Sequence, residues 1–186
     1  MSIYTLPDDL PAPLDDGACD HLTGLPVPAL TLESSAGQIS LRELAVDLAV
    51  LYVYPRTGRP DRPVPAGWDA IPGARGCTPQ SCAYRDHADE LAALGARVAG
   101  LSAQTLEEQE EFAAREHMPF PVLADPELKL GAALRLPTFT FEGVELYKRV
   151  TLVLEAVHIA KVFYPVFPPD ADASRVVEWL QGRRSK

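Results

Sequence analysis

The segment that decides the fold is Gly76-Cys77-Thr78-Pro79-Gln80-Ser81-Cys82-Ala83-Tyr84-Arg85-Asp86. Thr78-Pro79 suits the first turn of a helix, because proline is tolerated where the backbone N–H has no partner. Residues 81–94 then contain no Gly or Pro, so the helix is predicted to continue. The unpaired N–H groups and the dipole of a helix N-terminus stabilise a thiolate, the reactive form of cysteine. The segment therefore predicts an activated thiol at Cys77 and a second thiol, Cys82, one turn further along.

The spacing of the two cysteines indicates how they could bridge. On an intact α-helix five residues advance ~7.5 Å and rotate by ~500°, which separates the two Cα atoms by roughly 8.6 Å. A disulfide requires Cα atoms within about 7 Å of each other. A bridge between Cys77 and Cys82 thus requires at least one turn of helix to unwind. That requirement suits a catalytic disulfide, which forms and breaks, better than a permanent one.

Composition and charge exclude several classes of protein. The 186 residues suffice for one domain with a well-filled core. The net charge of -9 argues against a nucleic-acid partner, because such proteins carry basic patches. No stretch approaches the ~18 apolar residues of a membrane span, and the N-terminus lacks the basic and apolar regions of a signal peptide. We therefore expect a cytoplasmic protein, in which a cysteine pair is more often redox-active or metal-binding than structural.

The distribution of potential metal ligands argues against a metal site. Structural zinc is held by four Cys or His ligands, typically in two close pairs. The cysteines of the predicted helix have the wrong spacing, and the histidines are scattered at positions 21, 87, 117 and 158. We expect no metal and no cofactor. The third cysteine, Cys19, lies in an Asp- and Pro-rich lead-in and is expected to be peripheral.

The order of predicted elements indicates the fold class. Residues 1–27 are expected to form an extended N-terminal arm, and residues 28–186 a single domain with a Pro-rich insert at about 58–75. Within the domain we predict a hairpin over 29–41, a buried strand over 48–54, the cysteine helix, a strand over 97–102, a helix over 105–118, a strand over 121–123, a helix over 126–134, two antiparallel strands over 147–154 and 159–163, and a final helix over 170–183. Strands that alternate with helices imply a largely parallel sheet, to which the late hairpin adds antiparallel strands. The prediction is an α/β, thioredoxin-like fold with a central mixed β-sheet flanked by helices.

The chain resembles the peroxiredoxins of the bacterioferritin-comigratory (PrxQ) type from about residue 25 to residue 180. The matching stretches are residues 30–41, Tyr52-Val53-Tyr54-Pro55, Gly76-Cys77-Thr78 with Cys82 and Arg85-Asp86, residues 120–126, and residues 149–154. Each stretch alone is a weak signal. Five of them in the family's order are a strong one.

The resemblance implies a role for three residues. Cys77 corresponds to the peroxidatic cysteine, whose thiolate attacks a peroxide and becomes a sulfenic acid. Cys82 corresponds to the resolving cysteine, which forms an intramolecular disulfide with Cys77. Arg149 corresponds to the guanidinium that holds the thiolate and the peroxide. The resemblance also implies hydrogen peroxide and organic hydroperoxides as substrates, a thioredoxin-type reductant, and a monomer or weak dimer.

The chain departs from the family pattern just before Cys77. The family usually has Pro-x-x-x-Thr-x-x-Cys, whereas this chain has Ala70 and Ala74 at those positions and some fifteen extra residues upstream. Thr57 is our candidate for the missing hydroxyl, if the insert loops out and returns. The alternative is that Thr57 is a simple turn residue. The insert itself is either a lid over the pocket or a packed surface loop.

Two other functions remain open on the sequence. One is a thiol–disulfide oxidoreductase, although such enzymes favour Cys-x-x-Cys, which bridges without unwinding. The other is a peroxide-sensing redox protein that uses the same fold. Rapid consumption of peroxide separates the peroxidase from both.

Overall fold

The computed structural model describes residues 3–184. The strands are β1 Thr31–Ser34, β2 Gly37–Ser40, β3 Ala49–Val53, β4 Arg97–Ser102, β5 Val122–Ala124, β6 Thr138–Phe141, β7 Val144–Tyr147, β8 Val150–Glu155 and β9 His158–Phe163. The helices are α1 Leu41–Leu44, α2 Cys77–Asp86, α3 Ala88–Ala93, α4 Leu106–Arg115, α5 Lys129–Leu134 and α6 Asp172–Arg184. Most of the predicted elements are therefore present within a few residues of their predicted bounds.

A seven-stranded mixed sheet organises the domain, in the order β2-β1-β5-β4-β3-β8-β9. Strands β3, β4 and β5 pair in parallel, whereas β8 pairs antiparallel with β3, and β1 pairs antiparallel with β5. The apolar run of β3 lies near the centre, with all five residues buried. The predicted fold class, a mixed sheet flanked by helices, is confirmed.

The alternation of side chains along β3 divides the core between the two faces of the sheet. Leu51 and Val53 pack in one cluster with α1 and α5. Val50 and Tyr52 pack in the other, which contains apolar side chains of α2, α4 and α6. The second face is the one that carries the cysteine helix. On this face the aromatic ring of Tyr52 stacks on that of Tyr84, with the ring centroids 4.3 Å apart and the ring planes nearly parallel.

The structure differs from the sequence prediction in two local places. The helix predicted to run to residue 94 is interrupted at His87, where α2 ends and α3 begins one residue later. The strand predicted over 147–154 breaks at Lys148 and Arg149, because Tyr147 belongs to a separate β6–β7 hairpin. The turn of that hairpin is Glu142-Gly143, with φ of +49° and +78°. Such values are typical of a two-residue turn with both central residues left-handed, and Thr-Phe-Thr-Phe before Glu-Gly was its sequence signal.

The N-terminal lead-in is packed onto the domain, which corrects our expectation for Cys19. Residues 3–27 form turns and one isolated bridge, from Pro26 to His158, without a helix or strand. Yet Leu22 and Val27 belong to the hydrophobic core, and Cys19 is only 4% exposed within the same cluster. Cys19 is therefore a core residue and not a peripheral one.

The Pro-rich insert lies against the β6–β7 hairpin. Apart from a short 3-10 helix at Trp68–Ala70, it consists of turns and loop. The indole of Trp68 is 5% exposed and lies with its ring centroid 5.0 Å from that of Phe141 and 6.0 Å from that of Phe139. The insert was predicted to be either a lid or a packed loop. Its middle, at Trp68, is packed.

Candidate active site

Cys77 is the first residue of α2, as the sequence predicts, and Gly76 makes that placement possible. Gly76 has φ of +103°, a conformation that costs a residue with a Cβ. A Cβ at this position would also overlap the side chains of Pro169 and Leu6. Glycine is thus required twice, for the turn and for the close packing that surrounds it. The result is a thiol held at the helix N-terminus with only 3% of its surface exposed.

Arg149 lies directly against that thiol. It occupies the break between β7 and β8, and its Nη2 is 3.3 Å from Cys77 Sγ. The same nitrogen donates to the carbonyls of Arg75 at 3.1 Å and of Ala74 at 3.3 Å, while Nη1 donates to Gln80 Oε1. Arg149 is 3% exposed, so its charge is poorly screened by solvent. The structure therefore brings together two residues that are 72 positions apart in the chain.

A buried carboxylate stands behind this pair. Asp172 Oδ2 accepts hydrogen bonds from Gln80 Nε2 at 2.8 Å, Tyr84 OH at 2.8 Å and Thr151 Oγ1 at 2.7 Å. Burial raises the pKa of Asp172, and the three donors and Arg149 oppose that shift. Because Gln80 donates to Asp172 and accepts from Arg149, it links the carboxylate to the guanidinium. The network joins α2, β8 and α6 beneath the reactive thiol.

Sequence reasoning missed Gln80 and Asp172. A signal for Gln80 existed, since a residue three positions after Cys77 lies on the same helix face. Asp172 had only a weak signal as an acidic residue in the first turn of the last helix. Its partner Gln80 is 92 positions away in the chain, so the contact could not be read from local patterns.

Cys82 faces different surroundings from Cys77. Its Sγ is half-buried and lies 3.8 Å from Glu116 Oε2, and Arg85 Nη1 donates to the carbonyl of Glu116 at 2.9 Å. Burial raises the pKa of the Cys82 thiol; Glu116 adds to this shift and Arg85 opposes it. Both cysteines are free, and α2 runs without interruption through them. The structure does not bring the two sulfur atoms into disulfide geometry.

Thr57 lies at the wall of an open pocket of about 410 Å³ that Cys77 also lines. Its Oγ1 donates to Gln104 Oε1 at 3.1 Å, and its N–H donates to the same oxygen at 2.8 Å. Thr57 therefore reaches the pocket but forms no hydrogen bond with Cys77. A second hydroxyl is closer along the chain: Thr78 lines the pocket too, and its buried Oγ1 has no partner within residues 3–184.

Other kinds of site are not found in the part of the chain that the structure describes. Residues 3–184 contain no cluster of three or more His, Cys, Asp or Glu side chains that could hold a metal ion. Over the same range, no helix has the length and apolar character needed to cross a membrane.

Comparison with known proteins places the chain among related sequences. A family model described as Redoxin matches residues 22–180. A chloroplastic peroxiredoxin Q of Sedum lineare is 28% identical over 156 residues, which cover 83% of this chain and 75% of the relative. A putative peroxiredoxin bcp of Coxiella burnetii is 24% identical over 161 residues, which cover 83% and 95%. The crystal structure of peroxidoxin BcpB from Mycobacterium tuberculosis superposes with a TM-score of 0.69 at 26% identity, over 87% of this chain and 98% of that one. The residues that the Redoxin model matches include Cys77, Cys82, Arg149 and Asp172.

Proposed function

The chain belongs to the Redoxin family and is a peroxiredoxin of the Q type, and we propose that Cys77 is the nucleophile of its thiol peroxidase reaction. The observation that carries this assignment is the 3.3 Å contact between Arg149 Nη2 and Cys77 Sγ at the start of α2. A fixed guanidinium favours the thiolate, and it can stabilise the charge that develops on the leaving oxygen. Among the contacts of the described residues, Cys77 is the cysteine that a guanidinium touches, and it also lines the pocket.

The first step is an attack of the Cys77 thiolate on the terminal oxygen of a hydroperoxide. A sulfur–oxygen bond forms and the oxygen–oxygen bond breaks, so that cysteine is oxidised to the sulfenic acid and the peroxide is reduced. The leaving alkoxide takes up a proton and departs as an alcohol, or as water when the substrate is hydrogen peroxide. Arg149 holds the sulfur and receives the developing negative charge. The hydroxyl of Thr57, at the wall of the pocket that Cys77 lines, is the candidate to hold the peroxide oxygens.

The second step is condensation of the sulfenic acid with Cys82, which releases water and forms the Cys77–Cys82 disulfide. The intact α2 keeps the two Cα atoms roughly 8.6 Å apart, so the helix unwinds before the bond can form. Unwinding also exposes Cys82 to solvent; because burial is the main cause of the raised pKa of this thiol, exposure favours the thiolate that attacks the sulfenic acid. A dithiol reductant of the thioredoxin type, as the family implies, then restores both thiols. A cytoplasmic location and a monomeric or weakly dimeric state belong to this proposal.

The two alternative functions have less support. A thiol–disulfide oxidoreductase is disfavoured because Cys77 and Cys82 are held apart on a continuous helix. A peroxide sensor would share the first step but would not turn over with a reductant. Sustained consumption of peroxide with a thioredoxin-type reductant therefore separates the enzyme from both.

The role of each cysteine is tested by intact-mass analysis after one equivalent of hydrogen peroxide. We expect the wild-type protein to lose two hydrogens, Cys82→Ser to gain one oxygen, and Cys77→Ser to remain unmodified. Cys19→Ser is the matched control, because burial raises the pKa of Cys19 to about 12 and leaves that thiol unreactive. Oxidation of Cys77→Ser at the wild-type rate, or loss of the first step in Cys82→Ser, would reverse the assignment.

A further inference from the structure

Glu116 is a buried carboxylate with no part in the attack on the peroxide. It follows directly after α4 and is only 5% exposed. A buried carboxylate loses its hydration, so it is normally held by several partners. The two oxygens of Glu116 face different parts of the molecule, and Cys82 lies at one of them. Glu116 is therefore a candidate for a role in the second step of the reaction.

The first oxygen, Oε1, anchors the carboxylate to parts of the chain outside α2. Tyr4 OH donates to it at 2.8 Å, and Arg115 Nη1 also donates to it. Arg115 is held in turn by Glu111 Oε1, 2.8 Å from its Nε, and by the carbonyl of Gly58, 3.0 Å from its Nη2. All four partners lie outside α2, so these contacts keep Glu116 in place when α2 unwinds.

The second oxygen, Oε2, faces α2. The Cys82 thiol donates to it across 3.8 Å, and Arg85 Nη1 also lies 3.8 Å from it. Arg85 donates as well to the backbone carbonyl of Glu116 and to Asp86, both at 2.9 Å. Tyr52 on β3 is a further titratable group that interacts with the Cys82 thiol. The contact between Cys82 and Glu116 depends on the sulfur proton, because a thiol donates to a carboxylate whereas a thiolate is repelled by it.

Ionisation of Cys82 therefore reverses the sign of its interaction with Glu116. Burial is the largest cause of the raised pKa of this thiol; Glu116 and Asp86 add to the shift, and Arg85 opposes it. On the intact helix a Cys82 thiolate lacks hydration and faces a carboxylate, whereas on the unwound chain it faces solvent. The free energy of unwinding α2 is consequently lower when Cys82 is a thiolate than when it is a thiol.

We propose that Glu116 is a positioning residue of the disulfide-forming step, which holds the Cys82 thiol on the intact helix and expels its thiolate. The released thiolate attacks the sulfur of the Cys77 sulfenic acid. A sulfur–sulfur bond forms, the sulfur–oxygen bond breaks, and the leaving hydroxide takes up a proton to become water. Cys77 thus stays beside Arg149 until the attacking thiolate exists. The proposal rests on the peroxidase assignment above and adds the control of its second step.

The rate at which the sulfenic acid becomes the disulfide, followed by intact mass over a range of pH, tests the proposal. In Glu116→Gln the side chain keeps its size but carries no charge. Where Cys82 is a thiol, we expect this variant to form the disulfide about three- to tenfold faster than wild type, the scale of one weak hydrogen bond. The advantage should disappear at a pH where Cys82 is a thiolate, because wild type then gains a repulsion that the variant lacks.

Glu111→Gln is the matched control for this profile. It removes a carboxylate of α4 that pairs with the same Arg115, and it should keep the wild-type pH dependence of disulfide formation. A merely structural role of Glu116 would change the rate by the same factor at every pH. A ratio of the Glu116→Gln rate to the wild-type rate that does not vary with pH, or the same variation in Glu111→Gln, overturns the proposal.

Titration of Cys82 in Cys77→Ser separates failure of this proposal from failure of the peroxidase assignment, because it requires no peroxide. The rate of alkylation of Cys82 by iodoacetamide, resolved by peptide mass, should rise with a lower midpoint pH in Glu116→Gln. By linkage, a midpoint lower by one pH unit corresponds to a roughly tenfold fall in the rate ratio from low to high pH. A lower midpoint supports the role of Glu116 even if turnover is absent. An unchanged midpoint overturns it even if hydrogen peroxide is consumed rapidly.

Discussion

Removal of Arg149 should slow the first oxidation step by about 10- to 150-fold. The structure shows one charge-assisted contact from Arg149 Nη2 to Cys77 Sγ, at 3.3 Å, between two residues that are each 3% exposed. Hydrogen bonds to charged groups contribute about 1.5–3 kcal/mol, and each 1.36 kcal/mol changes a rate roughly tenfold. Solvent screening reduces this range little, because each of the two side chains is only 3% exposed.

The assay is single-turnover formation of the sulfenic acid in a Cys82→Ser background, followed by rapid quenching and mass analysis. Arg149→Ala should show the full loss of rate. Arg149→Lys should recover only part of the rate, because an ammonium keeps the charge but loses the planar set of donors that also bonds Gln80 and the loop carbonyls.

The matched control is Arg97→Ala. Arg97 Nη2 donates to two backbone carbonyls, those of Glu43 at 2.6 Å and Leu44 at 2.8 Å, but contacts neither cysteine. Arg97→Ala therefore measures how much the rate falls when backbone carbonyls lose a guanidinium donor but the thiol loses no contact. A reduction of less than threefold in folded Arg149→Ala, or an equal reduction in Arg97→Ala, would refute the role assigned to Arg149.

Two further predictions concern α2 and the carboxylate beneath it. Formation of the disulfide should speed amide exchange between about residues 78 and 87, because the bond cannot form on an intact helix. The amides of α4 serve as the internal reference. Equal protection of residues 78–87 in the two redox forms would contradict unwinding. Asp172→Asn should change the pH dependence of stability. Folding raises the pKa of Asp172 above 3.8, so the folded protein binds this proton more tightly than the unfolded chain does. The contribution of the Asp172 proton to stability is therefore full below pH 3.8. It is lost as the pH rises through the folded-state pKa. The free energy of unfolding of wild type relative to Asp172→Asn, measured in urea, should thus fall from acidic toward neutral pH, and a constant difference would exclude the effect.

The features that the sequence predicted correctly depend on neighbours a few residues apart. The helix start at Cys77 follows from Thr78-Pro79, and the start of α4 follows from Thr105, whose hydroxyl caps the helix together with Glu108. The continuous apolar run of β3 predicted a strand buried on both faces, which the structure confirms. Short-range sterics, capping bonds and hydrophobic periodicity decide such elements, so one local stretch of sequence contains the needed information.

The features that only the tertiary structure decided depend on contacts between distant parts of the chain. The sequence alone did not place Asp172 under Gln80, bury Cys19 in the core, or seat Trp68 on the β6–β7 hairpin. It also left open where Thr57 would lie relative to Cys77, because the long insert between them has no periodic pattern. Arg149 became a candidate through resemblance, yet its contact with the thiol exists because the chain breaks between β7 and β8 at that residue. Packing among elements separated by tens of residues determines all of these, and no local pattern encodes it.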